Sequence, residues 1–332
     1  MTATDEWIAS LKQPVTGWRI PTDNWPQQLI VRVPLHKTLE EFTGGQNGKI
    51  TCWTNASGVR WNKRNLMAFR AECVPYWLNG RTGISEMTED WGAPLPGGKL
   101  LTLPGRLGNC EAEDARLLIH QDELLMAYTT CSHMLMAWLN DDLEPWKVVK
   151  FKPSGFEFGS NEKNWAFISY DGDLYFIYTP RPYRVMKVYG EKVQDYFQQD
   201  WQSRYLDYGT PRGGATPVFH NGHIYHFFHS SHGYHSKIPE VMDNTRRYHI
   251  GVHVIEARPP FRLLRESHTP IVSGEFEPGG PTWKFPSERA VLFPGSAHRN
   301  ELDNGWLIVC GVNDRHSYVL NVSDELVEES MR

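Results

Sequence analysis

The sequence predicts an all-β chain, a five-bladed β-propeller built of antiparallel four-stranded sheets. Three observations lead there. First, one short block recurs five times: a tight polar turn followed by an apolar and aromatic run that ends at a polar residue. The copies read WNKRNLMAFRAE from Trp61, QDELLMAYTT from Gln121, DGDLYFIYTP from Asp171, NGHIYHFFHSS from Asn221 and DNGWLIVCGVND from Asp303. Polar turns of the Asp-Gly or Asn-Gly kind before residues rich in Tyr, Phe, Ile and Leu signal β-hairpins. Second, four of the copies start roughly 50 to 60 residues apart and the last follows a longer gap, a period that suits one small sheet per repeat. Third, the chain holds 13 Trp, 14 Tyr and 15 Phe, and aromatic rings fill blade interfaces well. A sheet of this size cannot bury both faces alone, so the blades must pack on one another in a ring. Closure of the ring brings the first residues of every innermost strand to a common axis, where function is to be sought.

The 332 residues carry no Pro/Gly/Ser linker and no low-complexity tract, so residues 1–332 read as a single domain, as all-β architectures of this length often are. Residues 1–45 lie outside the repeat and read as an N-terminal edge or closing segment. The net charge of −5 and the absence of a Lys/Arg run argue against nucleic acid or an anionic membrane as partner. Cys52, Cys73, Cys110, Cys131 and Cys310 are odd in number and scattered, as expected of buried free thiols in a reducing compartment. The start MTATDEWIASLKQ lacks the basic region and apolar core of a signal peptide, and no later apolar run is long enough to span a bilayer. A soluble cytoplasmic protein is expected.

The residues that open each blade carry the chemistry. Blade two opens with Glu113, Asp114 and Arg116, blade three with Glu162, Lys163 and Asn164, and blade four with Arg212, Gly213 and Gly214. Blade five is expected to open in SERAVLFPG, with Glu288 and Arg289. In blade one the pattern is degraded (NGKITCWTN), and only the later strand, with Arg70 and Glu72, is clear. Charges where a strand begins are costly to bury unless they pair or bind something. They form either an ion-pair ring that closes the propeller or a funnel-shaped site for a polar ligand, and both can hold at once.

At these residues the chain resembles a family. EDAR at 113–116, followed by a hairpin ending AYTT, is similar to the acid-bearing motif of the five-bladed propeller phosphorylases and hydrolases of glycoside hydrolase family 130. In order there follow TPRP at 179–182, the strand ending in His229, TPIVSGEFEPGG at 269–280, AVLFPG at 290–295 and CGVNDRHSYVLNVS at 310–323. Ala115 stands where the family usually has Pro, and EKNW at 162–165 with RGG at 212–214 look more like a divergent branch found near polysaccharide-synthesis enzymes. The resemblance implies a carbohydrate-active enzyme working at a glycosidic bond on an oligosaccharide or sugar-phosphate substrate, with inorganic phosphate as a co-substrate and no other cofactor. It is expected to be an inverting glycoside phosphorylase or related glycosyltransferase. The runner-up is an inverting glycosidase on the same scaffold, and a non-catalytic glycan-binding propeller is the reading from another class.

Asp114 matches the family's acid, and burial together with neighbouring Glu113 is expected to favour its neutral form. A phosphorylase needs only one carboxylate, because phosphate is itself the nucleophile, but it needs a cationic cradle. The resemblance assigns Arg181 and His229 to phosphate, and Lys163, Arg184 and Arg212 add donors. A hydrolase would instead need a base among Glu288, Asp314 and Glu72. Asp314 matches a carboxylate that binds sugar hydroxyls, and Arg70, Glu72, Glu113, Arg116, Asn164 and Glu288 complete the expected substrate contacts. His220, His223, His226, His229, His232 and His235 recur at every third position and suggest a transition metal. On a strand, however, residues three apart face opposite ways, so the six cannot share one site, and no metal is expected. No Walker sequence, GxGxxG turn or GxSxG elbow is present.

Overall fold

A computed structural model describes residues 30–32, 50–73, 81–103, 112–130, 133–160, 162–233, 246–274, 289–300, 303–314 and 316–332. In chain order the strands are β1 (Ile30–Arg32), β2 (Ile50–Trp61), β3 (Arg64–Cys73), β4 (Arg81–Met87), β5 (Lys99–Leu100), β6 (Glu113–His120), β7 (Glu123–Thr129), β8 (Met134–Leu139), β9 (Pro145–Lys150), β10 (Lys152–Pro153), β11 (Ala166–Tyr170), β12 (Asp173–Pro180), β13 (Tyr183–Tyr189), β14 (Lys192–Gln199), β15 (Val218–His220), β16 (His223–Gly233), β17 (Arg246–Glu256), β18 (Leu263–Glu266), β19 (Val272–Ser273), β20 (Arg289–Ala290), β21 (Leu292–Asn300), β22 (Gly305–Val312) and β23 (His316–Ser323), before a short helix α1 (Asp324–Ser330). They form five mainly antiparallel sheets. Three have the four strands expected, β2-β3-β4-β5, β6-β7-β8-β9 and β21-β22-β23-β1, and two are larger: β11-β12-β13-β14 is extended by β10, parallel to β14, and β15-β16-β17-β18 is joined by β19 and β20 on β17. This is a five-bladed propeller. Ile30–Arg32 pairs with Tyr318–Leu320, so segments from opposite ends of the chain share the last sheet.

The recurring block is the hairpin between the first and second strands of each blade. In blades one to four the turn has two residues, and all eight lie in the left-handed region: Asn62 and Lys63, Gln121 and Asp122, Asp171 and Gly172, Asn221 and Gly222. A two-residue loop with both φ positive matches the right-handed twist of the strands it joins.

The apolar runs between these turns are continuous because each blade is buried on both faces. Along β7, Leu124, Met126 and Tyr128 point toward blade one, while Leu125 and Ala127 point toward blade three. Along β22, Trp306, Ile308, Cys310 and Val312 face blade four, while Val309 faces blade one. Among the described residues there are five apolar clusters, one at each junction between neighbouring blades. Helix α1, capped by the Ser323 hydroxyl that accepts from the Leu326 amide, adds Val327 to the junction of blades four and five.

Two expectations about strand openings need correction. Blade one is not degraded: β2 runs unbroken through ITCWTNASGVRW, with irregular register between Ile50 and Cys52 and between Thr54 and Ser57. The bulges break the alternation that a sequence pattern relies on. Blade five begins within the expected stretch SERAVLFPG but after the charged pair expected to open it. Arg289 and Ala290 pair in parallel with β17 of blade four, and the innermost strand starts at Leu292. Glu288 lies outside the described residues. No helix among the described residues is long and apolar enough to cross a membrane.

The innermost strands approach one another closely. A Cβ on Gly295 of β21 would stand 1.8 Å from the Ala56 carbonyl oxygen of β2, and backbone cannot yield as a flexible side chain can. Gly295→Ala is expected to lower the melting temperature by roughly 2–10 °C, the range that overpacking implies in a domain of this size; thermal unfolding followed by circular dichroism measures it.

Candidate functional site

At the axis the strand mouths of blades one, two and three each present a polar residue in the left-handed region: Asn55 (φ 52°) on β2, Asp114 (φ 51°) on β6 and Asn164 (φ 64°) just before β11. Asn and Asp are the side-chain-bearing residues that adopt this conformation at least cost. Asn55 and Asp114 both sit in irregular register, between Thr54 and Ser57 and between Glu113 and Arg116. Away from tight turns such backbone concentrates at functional sites.

Asp114 is the centre of a charge cluster. The Asn55 amide Nδ2 donates to its Oδ1 at 2.7 Å, and Arg70 Nη1 stands 3.7 Å from the same oxygen. Arg70 Nη2 donates to Glu113 Oε1 at 2.8 Å, so one guanidinium bridges the two adjacent carboxylates. Arg116, 3% exposed, lies along the shaft. Its Nε donates to the Gly214 carbonyl of blade four at 3.0 Å, its Nη1 to the carbonyls of Asp114 and Ala115, and its plane lies 4.7 Å from the centre of the Phe293 ring of blade five. Its Nη2 is buried with no hydrogen-bond partner among the described residues.

These contacts reverse the expected protonation of Asp114. Burial does push its pKa up, but Arg70, Arg116, the Asn55 hydrogen bond and Lys163 together outweigh it and hold the carboxyl below its usual range. Glu113, expected to keep Asp114 neutral, is instead paired with Arg70. Asp114 is therefore ionised in the free protein. Burial pushes the Arg116 guanidinium down to about 10, with Asp114 opposing, and it remains a cation at neutral pH.

The other expected residues fall into three groups. Lys163 and Arg212 are exposed at the strand openings of blades three and four, and both act electrostatically on His229. The Arg212 amide donates to the His229 carbonyl at 2.7 Å. His229 itself is 2% exposed, packed against Phe293 and Tyr248, with its Nδ1 lacking a partner among the described residues. Burial, followed by Arg212, drives its pKa down to about 3, so it is neutral. Asn164, half-buried, likewise leaves its Oδ1 without a partner among the described residues. A second group lies at strand ends or in turns. Arg181 is exposed in the turn between β12 and β13, and Asp314 (φ 52°) sits in the turn between β22 and β23. A third group is committed or outside the description. Arg184 does not join the cradle: on the third strand of its blade, it binds Asp195 of the neighbouring β14 through Nε and Nη2. The Glu72 and Glu288 side chains lie outside the described residues.

Asn55 was not found by sequence reading, and neither was the role of Glu162. Asn55 follows a run without alternation, so no periodicity marks it. Glu162 is buried and accepts from the Gly159 amide, the Trp165 indole at 2.9 Å and the Tyr178 hydroxyl at 2.8 Å. It braces blade three, with three of its roughly four acceptor sites already taken by protein donors.

The histidines of β16 separate by face. His226 meets His253 and, through it, Glu266 in the blade interior: His253 Nε2 stands 3.1 Å from Glu266 Oε1. His232 pairs with His249, Nδ1 to Nε2, at 2.8 Å. Among the described residues no group of three or more His, Cys, Asp or Glu is arranged to hold a metal.

No sequence-family model and no curated protein sequence matches the chain. Its fold has counterparts among solved structures. A β-1,2-mannobiose phosphorylase from Listeria innocua, bound to β-1,2-mannobiose, is 12% identical over 91% of this chain and 99% of that one, with a TM-score of 0.62. A structure from the glycoside hydrolase family 130 of mannoside phosphorylases, which contains hydrolases that target β-1,2 mannosidic linkages in Candida mannan, is 12% identical over 84% and 86%, at 0.60. A GDP-Man-dependent mannosyltransferase from Leishmania mexicana is 14% identical over 87% and 93%, at 0.53. At these identities what is shared is the propeller.

His229 gives a measurable signature. Its folded pKa is depressed below the unfolded value of about 6.5, so as pH falls from there toward 3 the unfolded chain takes up a proton that the folded chain refuses. Stability is full above that window and declines through it by about 1.4 kcal/mol per pH unit. Urea unfolding of His229→Gln between pH 7 and 4 should give a shallower decline than the parent chain by about that slope.

Proposed function

We propose that the protein is a carbohydrate-active enzyme that works at a glycosidic bond, as an inverting phosphorylase or a related glycosyl transferase, with Asp114 as the group that exchanges a proton with the bridging oxygen. The single observation that carries this reading is the axial placement of Asp114: strained backbone, a clamped carboxylate, and cations from three blades around one mouth. The fold it shares with phosphorylases, hydrolases and a mannosyltransferase supports the reaction class.

In bond cleavage a phosphate oxygen would attack the anomeric carbon from the side opposite the leaving group. The electrons of the breaking C–O bond go to the bridging oxygen, which takes the proton of Asp114. Glu113 is bound to Arg70 and is a poor base, so a nucleophile that needs none suits the site. Phosphate would enter beside Lys163 and Arg212, the exposed cations, which bind it as point charge and planar fork respectively. Its negative charge would offset the cations that hold Asp114 ionised and raise the carboxyl toward the protonated form. In the reverse direction the ionised carboxylate of the free enzyme is ready to accept the acceptor's hydroxyl proton, as transfer from a sugar phosphate or nucleotide sugar requires. Asn164 Oδ1 and Arg116 Nη2, both without a partner among the described residues, would gain hydrogen bonds from a polyhydroxylated ligand or the water it orders.

The test is incubation with manno-oligosaccharides, with and without phosphate, read for sugar 1-phosphate. Phosphate-dependent sugar 1-phosphate supports the reading; free sugar released without phosphate means hydrolysis, and binding without turnover means a glycan-binding propeller. Asp114→Asn is expected to lower turnover by roughly 10²–10⁴-fold, the scale of general acid–base catalysis, while sugar binding, measured by calorimetry, stays nearly intact. Lys163→Ala should raise the Michaelis constant for phosphate far more than that for sugar, and equal changes in both would remove Lys163 from the cradle.

A further inference from the structure

The contacts of Asp114 divide its two oxygens. Oδ1 takes both the Asn55 amide at 2.7 Å and the nearer Arg70 nitrogen at 3.7 Å. Oδ2 has no hydrogen-bond partner among the described residues, yet the side chain is 13% exposed, so this oxygen is not sealed in the interior. Only one end of the Asn55 amide can face a carboxylate, which accepts and does not donate. The carboxylate thereby sets the orientation of the amide, and the Thr54 hydroxyl stands 3.3 Å from both Asn55 Oδ1 and the His316 carbonyl oxygen, its one proton serving one of them at a time.

Blade five is cut away where this amide sits. A Cβ on Gly311 of β22 would lie 2.3 Å from Asn55 Oδ1, 2.7 Å from the Asn55 backbone nitrogen and 2.8 Å from Thr54 Oγ1. The β2 bulge, the left-handed backbone at Asn55 and the missing side chain at position 311 all place one buried amide against one oxygen of Asp114. Such an arrangement has a cost in propensity and packing that a filler residue would not require.

We infer that Asn55 is a positioning residue that, together with Arg70, fixes Oδ1 of Asp114 so that Oδ2 is the oxygen that exchanges the proton with the substrate. This rests on Asp114 being the proton-exchanging group. In cleavage the Oδ2–H bond breaks with its electron pair remaining on Asp114, and the proton bonds to the departing bridging oxygen. The charged and titratable groups around Asp114 are Arg70 on β3, Glu113 and Arg116 on β6, and Lys163 ahead of β11. Beyond them stand Arg212 and His229 of blade four, with Arg212, Arg116 and Lys163 all acting electrostatically on His229.

The test uses the full chain with Asn55→Gly, which is at ease at positive φ, and Asn55→Asp, which keeps the shape and removes the donor. Carbon-13 titration of the Asp114 carboxyl, identified by the signal lost in Asp114→Asn, reads the clamp without turnover. Both Asn55 variants are expected to move that titration to higher pH, because a donor to the charged form has been removed. With mannobiose and phosphate as probes, kcat should fall roughly 10–100-fold, the scale of a misplaced catalytic group, with KM changing less and the pH profile moving the same way. An unmoved titration or an unmoved profile in a folded variant overturns the inference. So does failure of both variants to fold, which would assign Asn55 to structure alone. Full turnover in Asp114→Asn would instead overturn the proposed function, whereas an inactive Asp114→Asn beside unaffected Asn55 variants sinks only the role of Asn55.

Discussion

The closeness of the innermost strands governs the rest of this molecule. Five sheets share one axis, and the first strand of each meets its neighbours through backbone, small residues and hydroxyls. Ser296 Oγ accepts from the Gly58 amide at 2.7 Å, Ser57 Oγ from the Leu117 amide at 3.2 Å, and Thr216 Oγ1 donates to the Leu117 carbonyl at 3.1 Å. At such separations a charged group at a strand mouth cannot avoid groups from two or three other blades. The proximity of Asp114 to Arg70, Arg116 and Lys163 is a consequence of ring closure, and the low pKa of Asp114 is a consequence of that proximity.

A largely buried cluster of this kind is poor value for stability alone. Taking charges out of water costs several kcal/mol per ion, and an apolar replacement of like volume is often as stable. The inter-blade clusters already hold the ring together with fully buried Leu, Met, Phe and Trp. On the proposed reading Asp114, the groups that clamp it and the surrounding cations are elements of a site, with the propeller as the rigid frame that holds them in register.

The histidines illustrate how the same residue type takes different duties on one strand. His226 and His253 are fully buried and join Glu266, which also accepts from the Trp201 indole at 3.3 Å. His229, on the opposite face of β16, is turned toward Phe293. Burial lowers the pKa of His226 and of His229, so both work as neutral polar packing near physiological pH. Period two on the strand separates what period three in the sequence had grouped.

The turns, the hairpin strands and the five-bladed ring were legible in the sequence, because hairpin chemistry and a continuous apolar run are local properties of consecutive residues. The strand openings that hold Asp114, Lys163 and Arg212 were legible for the same reason. Asn55 and the start of blade five were not, since a bulge interrupts the alternation and a two-residue strand such as Arg289–Ala290 leaves no pattern. Local sequence decided which residues form each blade and which stand at its mouth. Only the tertiary structure decided that Asp114 is ionised, that Arg184 is spent on Asp195 and that Glu162 is a brace, because a charge state and a hydrogen-bond partner depend on groups that ring closure brings together from distant parts of the chain.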